Sequence, residues 1–157
     1  QIRNFSDDQI MAQIIEATRN KHEFPLVIGF LCHWCSYAAA DLAGSLRLQY
    51  PTNMRNIRLL CAGRVNPSFV LEALRRGADG VLVAGCRPGE CHYTIGNHCA
   101  MQRMNVLSKL LVDLGFDQRR LRVEWLAASE GRKFAAIVKD YVEQLKEIGP
   151  AGSELKG

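Results

Sequence analysis

Apolar residues recur along this chain with two spacings, and the spacing switches again and again. Ile10, Met11, Ile14, Ile15 and Thr18 fall at helical intervals behind the capping-box pair Ser6 and Gln9, which predicts a helix over about residues 7–20, closed by the polar Asn20–Lys21–His22. Pro25 then introduces Leu26–Leu31, an unbroken apolar run with the character of a strand buried on both faces. Ala38–Leu48 is helical in composition, with Ala38, Leu42, Ala43 and Leu46 expected on its inner face. Ile57–Cys61 reads as a second strand. Asn66–Pro67 opens a helix with Phe69, Val70, Ala73 and Leu74 inward and Gly77 as its stop. Gly80–Gly85 reads as a third strand. After a loop from Cys86 to Asn97, a helix is expected from about His98 to Leu114, with Met104, Leu107, Leu111 and Leu114 inward. Leu121–Leu126 is the fourth strand. Ser129 is expected to cap a last helix whose stripe runs through Phe134, Ile137, Val138, Tyr141, Val142, Leu145 and Ile148.

One helix followed by four strand–helix alternations predicts an α/β fold: a single domain with a four-stranded parallel sheet, wound in the flavodoxin-like manner and preceded by an N-terminal helix. No repeat or linker divides it. The expected organisation is an N-terminal helix and connector over 1–24, the α/β domain over 25–150 and a mobile Gly-Ser-Lys tail over 151–157.

Composition changes this picture little. Of 157 residues, 48% are hydrophobic and 23% charged, which excludes general disorder. The net charge of +4 comes from scattered bases, so nucleic acid is not an expected partner; Arg75–Arg76 and Arg119–Arg122 read as solvated surface. The longest apolar run, Phe24 to Cys35, breaks at His33 and falls short of the ~20 residues of a membrane span. A cytoplasmic location is expected, although the chain as given begins at Gln1 without a Met.

The cysteines change it more. Six are present, too many for an ordinary reduced protein and unneeded as staples in a chain this long. Cys32 and Cys35 follow the first strand, Cys61 ends the second, and Cys86 and Cys91 follow the third. In a parallel sheet all strand C-termini share one edge, so these five thiols are expected to converge there. Cys99, at a helix start, breaks the pattern. Cys32-x-x-Cys35 alone also suits a thioredoxin-like dithiol, but two spaced pairs plus Cys61 favour a metal centre. Zinc, mononuclear iron, [2Fe–2S] and [4Fe–4S] all remain open at this point. Gly63, Gly85, Gly89 and Gly96 would let backbone N–H groups approach sulfur, and Arg64, Arg87 and Arg103 could offset thiolate charge, although each taken alone reads better as a plain surface arginine. Trp34 would shield the centre, and His33 and His92 are possible ligands that, with five thiols available, are expected beside the centre or exposed. The chain lacks Gly-x-Ser-x-Gly, Walker A, Gly-x-Gly-x-x-Gly and His-Glu-x-x-His patterns, so a relay is expected and not a catalyst acting by itself.

Phe30-Leu-Cys-His-Trp-Cys-Ser-Tyr37, Cys61-Ala-Gly-Arg64, Asn66-Pro-Ser-Phe69, Gly77-Ala-Asp-Gly80, Gly85-Cys-Arg-Pro-Gly-Glu-Cys-His-Tyr93 and Ala128-Ser-Glu-Gly131 together resemble the delta-subunit family of methyl-viologen-reducing hydrogenase, from about Pro25 to Pro150. The resemblance implies a [2Fe–2S] protein passing electrons between a hydrogenase or formate dehydrogenase module and the flavin-containing A subunit of heterodisulfide reductase. The family's cysteine positions match Cys32, Cys35, Cys61, Cys86 and Cys91. Four ligands are needed, and the two close pairs, Cys32, Cys35, Cys86 and Cys91, are the first choice, with Cys61 as the alternative fourth ligand. The competing expectations are a thiol–disulfide oxidoreductase using Cys32 and Cys35, and a zinc-stabilised docking adaptor. Trp34, Arg64, Arg87, His92 and Tyr93 are expected to meet the partner.

Overall fold

A computed structural model describes residues 5–20 and 23–152; Lys21, His22 and residues 153–157 of the expected tail lie outside the described residues. The elements run in the order α1 (Asp7–Arg19), β1 (Val27–Cys32), α2 (Ser36–Ser45), β2 (Met54–Leu59), a 3-10 turn (Ala62–Arg64), α3 (Pro67–Arg75), β3 (Gly80–Gly85), α4 (Gly96–Asp113), a second 3-10 turn (Gln118–Arg120), β4 (Leu121–Trp125) and α5 (Gly131–Ile148). All strand pairs are parallel, in the order β2-β1-β3-β4. This is the expected α/β fold, with the reversal of strand order lying between β1 and β3, where open parallel sheets place their ligands.

The pleat divides the core. Ile28, Phe30, Val81 and Val83 point to the face covered by α1, α3 and α4, where they join Ile10, Ile14, Phe69, Met104 and Leu107. Val27, Leu31, Leu82 and Ala84 point to the other face, under α2 and α5, with Phe134, Val138, Tyr141 and Leu145. Both central strands are therefore buried on two sides, which is why they read as continuous apolar runs. The capping box at Ser6 and Gln9 and the Asn66–Pro67 helix start form as expected.

Several local expectations are corrected. β2 begins at Met54, earlier than Ile57, because this edge strand leaves Arg55 and Asn56 exposed and carries no long apolar run. The inner face of α2 is Ser36, Ala39, Ala40 and Ala43, while Leu46 is exposed. The cause is close packing on α5: a Cβ at Gly131 would sit 2.9 Å from the Ala43 nitrogen and 3.2 Å from the Ala39 oxygen, so the contact demands small residues. Leu114 ends α4 exposed. Ser129 does not cap α5; Glu130 holds that place, and its Oε2 accepts a hydrogen bond from the Ala127 backbone at 2.7 Å. Arg120 is wholly buried and not part of a solvated basic face.

Candidate metal centre

The topology carries the five thiols to one edge. Cys32 is the last residue of β1, Cys35 stands at the N-terminus of α2, Cys61 precedes the first 3-10 turn, Cys86 follows β3, and Cys91 lies in the loop leading to α4. Cys32, Cys35 and Cys86 are almost fully buried, and their sulfurs all lie within 4.8 Å of one another. The Cys32–Cys86 sulfur distance is 3.7 Å across 54 residues of sequence. Cys61 extends the group: its sulfur neighbours that of Cys32 and lies with that of Cys91 over Gly96. All six cysteines are free thiols. Cys99 lies apart from the triad on α4, where it and Cys61 line a cavity of about 610 Å3 with Leu60, Tyr93 and Ile95.

Two backbones approach closely to make this possible. A Cβ at Gly63 would meet the Gly96 carbonyl oxygen at 2.8 Å, and a Cβ at Gly96 would run into Cys61 Sγ and come within 3.3 Å of Cys91 Sγ. Gly96 is thus a cradle for two sulfurs. The Gly63 N–H also donates to Cys61 Sγ at 3.4 Å, one of the sulfur contacts expected from the glycines. Two polar side chains that the sequence reading did not single out fix the loops. Ser36 Oγ, fully buried, donates to the Ala84 oxygen at 2.7 Å and ties the turn after Cys35 to β3. Asn97 Nδ2 donates to the Cys86 oxygen at 3.2 Å and the Arg87 oxygen at 2.8 Å, locking the Cys86 loop to α4. The available signal was a polar residue directly beside the cysteine-bearing loop.

Burial pushes the Cys86 thiol up to about 11, with the Cys35 contact acting against it. The Cys32 thiol is raised, foremost by its hydrogen bond with Cys35, and the Cys61 thiol is raised, foremost by its bond with Cys32. Each of these thiols resists ionising because its neighbours are also thiols and water is excluded. A cation would reverse that balance by replacing the protons. The donor set, convergent sulfur with no buried carboxylate among it, fits a soft metal or an iron–sulfur cluster.

The expected surroundings are only partly as anticipated. Arg64 pairs with Asp7 at 2.5 Å and donates to the Phe5 oxygen at 3.3 Å, tying α1 to the Cys61 turn. Arg87 pairs with Glu130 at the start of α5. Arg103 donates to the Gly63 oxygen at 2.6 Å. All three arginines therefore hold elements together around the site. Trp34 stacks on His92 with ring centroids 3.9 Å apart and donates to the Tyr93 hydroxyl at 3.4 Å, forming an exposed aromatic cover. His33 lies edge-on to Trp34, and its buried Nδ1 has no hydrogen-bond partner among the described residues. No helix among the described residues is long and apolar enough to cross a membrane.

Residues 27–149 match the family model of the methyl-viologen-reducing hydrogenase delta subunit. The chain is 55% identical over 156 residues to the A subunit of the ferredoxin:CoB-CoM heterodisulfide reductase of Methanosarcina mazei, a match covering 99% of this chain and 20% of that protein. It is 47% identical over 126 residues to the iron-sulfur D subunit of the F420-non-reducing hydrogenase of Archaeoglobus profundus, covering 80% of this chain and 92% of that protein. The corresponding hydrogenase protein of Methanopyrus kandleri is 42% identical over 128 residues. The chain thus spans about a fifth of its heterodisulfide reductase relatives and matches nearly the full length of its hydrogenase relatives. α1 lies before the family model and within the heterodisulfide reductase match.

Proposed function

The chain belongs to the family of the methyl-viologen-reducing hydrogenase delta subunit, and on that premise we propose that it is an electron relay whose cysteines hold a [2Fe–2S] cluster. The observation that carries this reading is the convergence of Cys32, Cys35 and Cys86 within 4.8 Å, with Cys61 and Cys91 adjoining them. Such a cluster supplies reversible one-electron storage when bound. The chain's own residues hold it through four thiolates, for which Cys32, Cys35, Cys86 and Cys91 are the first assignment and Cys61 the alternative. Burial of the triad keeps water away, and the Gly63 N–H lowers the electron density on sulfur.

The names of the relatives support the broad choice of partners. Proteins named as part of a non-F420-reducing hydrogenase and of heterodisulfide reductase support a place in a complex of those two activities. The electron donor is a hydrogenase or formate dehydrogenase module, and the acceptor is the flavin-containing A subunit of heterodisulfide reductase, in the cytoplasm. The docking face is the thiol edge, with the exposed Trp34, His92 and Tyr93 as contacts.

Anaerobic purification followed by iron, sulfide and zinc analysis tests the reading. About two irons and two acid-labile sulfides per chain are expected, with an electron paramagnetic resonance signal on reduction. Four irons would replace the cluster type and keep the relay. Zinc without sulfide would replace the relay by a docking adaptor, and metal-free protein with a redox-active Cys32–Cys35 dithiol would replace it by a thiol–disulfide oxidoreductase.

A further inference from the structure

The thiols fall into two groups of different character. Cys32, Cys35 and Cys86 form a buried triad on rigid points of the sheet edge. Cys61 and Cys91 are half-buried, sit on separate loops, and share the seat left by the missing side chain of Gly96. Cys91 packs against the Cys32–Cys35–Cys86 cluster, and Cys61 lies with it over Gly96 and beside Cys32, so the coordination position beside the triad lies within reach of either member of the pair. The cavity of about 610 Å3 opens on Cys61 and offers room for a displaced thiol.

Resting on the iron–sulfur reading above, we propose that Cys61 and Cys91 are interchangeable ligands for one coordination position, exchanging across Gly96. The exchange is proton-neutral: the incoming thiol releases its proton as it binds metal, and the departing thiolate takes one up. No electrons move and no co-reactant is needed. The fifth cysteine is then a standby ligand that gives the site two coordination states, one with Cys61 turned toward the metal and one with Cys61 toward the cavity.

The test uses the full chain loaded anaerobically with iron and sulfide, as Cys61→Ala, Cys91→Ala and the double variant. Each single variant is expected to retain the iron and sulfide of the unaltered chain, with its own magnetic resonance signature and midpoint potential. The double variant should lose iron by roughly tenfold or more. Loss of iron from either single variant to the level of the double would overturn the proposal, because that cysteine is then a fixed ligand. Retention in the double variant would also overturn it, because neither is then a ligand. Gly96→Ala offers an independent arm that keeps all five thiols. Its new Cβ expels Cys61 from the seat, so it should keep its iron and take on the signature of the Cys61→Ala chain; lost iron or a different signature would count against the exchange. If the unaltered chain takes up no iron and sulfide, the iron–sulfur reading itself falls, and this inference with it; if it loads normally while a single variant fails, only the exchange falls.

Discussion

Each end of the sheet buries a knot of heteroatoms, and the contrast between them separates structure from chemistry. At the N-terminal ends of the strands, the Asp79 carboxylate accepts from the Leu26 N–H at 2.7 Å and the Ala151 N–H at 2.8 Å. Arg120, fully buried, donates to the oxygens of Asp79, Gly149 and Pro150. The Tyr141 hydroxyl donates toward the oxygens of Val81 and Arg120. That knot is closed by strong donors and acceptors of the protein itself. At the C-terminal ends, beside the bonded Ser36 and Asn97, the buried groups are thiols that contact one another, the weakest hydrogen bonds available. A satisfied buried network stabilises the fold. A buried cluster of thiols adds little until something else binds it.

The sharpest way to break this contrast is at the polar end. Arg120→Ala removes a buried guanidinium and leaves the buried Asp79 carbonyl and the partly buried carbonyls of Gly149 and Pro150 without a donor, and should cost about 3–5 kcal/mol of unfolding free energy in urea titration of the metal-free chain. The metal content of the chain that remains folded should be unchanged. If Arg120→Ala instead unfolds at the same urea concentration as the unaltered chain, the polar knot is not the structural end. A smaller cost, about 1–3 kcal/mol, is expected for Asn97→Ala, which frees the carbonyls of Cys86 and Arg87. This variant alone should affect both quantities, weakening metal retention together with stability, because Asn97 belongs to the fold and to the site.

Cys86→Ala should lower the stability of the metal-free chain by no more than about 1 kcal/mol, since it removes one sulfur atom and no strong hydrogen bond. Metal binding should nevertheless collapse, which metal analysis after desalting would reveal. The smallest effect belongs to neither end. Glu72 is held down to about 2 by its hydrogen bonds with Arg75 and Arg76. Its folded value lies below its unfolded one, so its contribution is present above about 4.5 and fades as pH falls toward 2. The group is only partly exposed, but Arg75 lies at the surface and the ion pairs are screened by solvent, so Glu72→Gln should shift stability at neutral pH by less than about 0.5 kcal/mol. A larger shift would mean that α3 depends on its surface charges.

The sequence disclosed the thiol end more fully than the polar one, for a physical reason. Cysteines placed after successive strands announce their meeting through topology alone, and Cys32 and Cys86 do meet at 3.7 Å. Nothing in the spacing of Asp79, Arg120 and Tyr141 announces theirs. Arg120 stands in a run of arginines that looks like solvated surface, and its burial depends on the exact ending of α5 at Gly149 and Pro150. The arginines near the thiols have partners that the sequence does not announce. Arg64 pairs with Asp7 and Arg87 with Glu130, contacts made across elements far apart in sequence. Helix faces were legible where large side chains mark them, as on α5, and were misread on α2, where close approach of two helices turns alanine and not leucine inward.

The Asp79 carboxylate has one more consequence. By binding Leu26 and Ala151 at once, it sets the two backbone segments that flank the domain side by side, at the end of the sheet away from the sulfurs. For the stretch matched by the family model, which starts after α1, entrance and exit are therefore adjacent, while α1 packs onto the core through Ile10 and Ile14 and begins beside the Cys61 turn. Its relatives occur in both forms, as nearly an entire protein and as one fifth of another. Modularity of this kind is a matter of anchorage: a single acidic side chain gathers the segment before β1 and the segment after α5 at the end of the sheet away from the sulfurs.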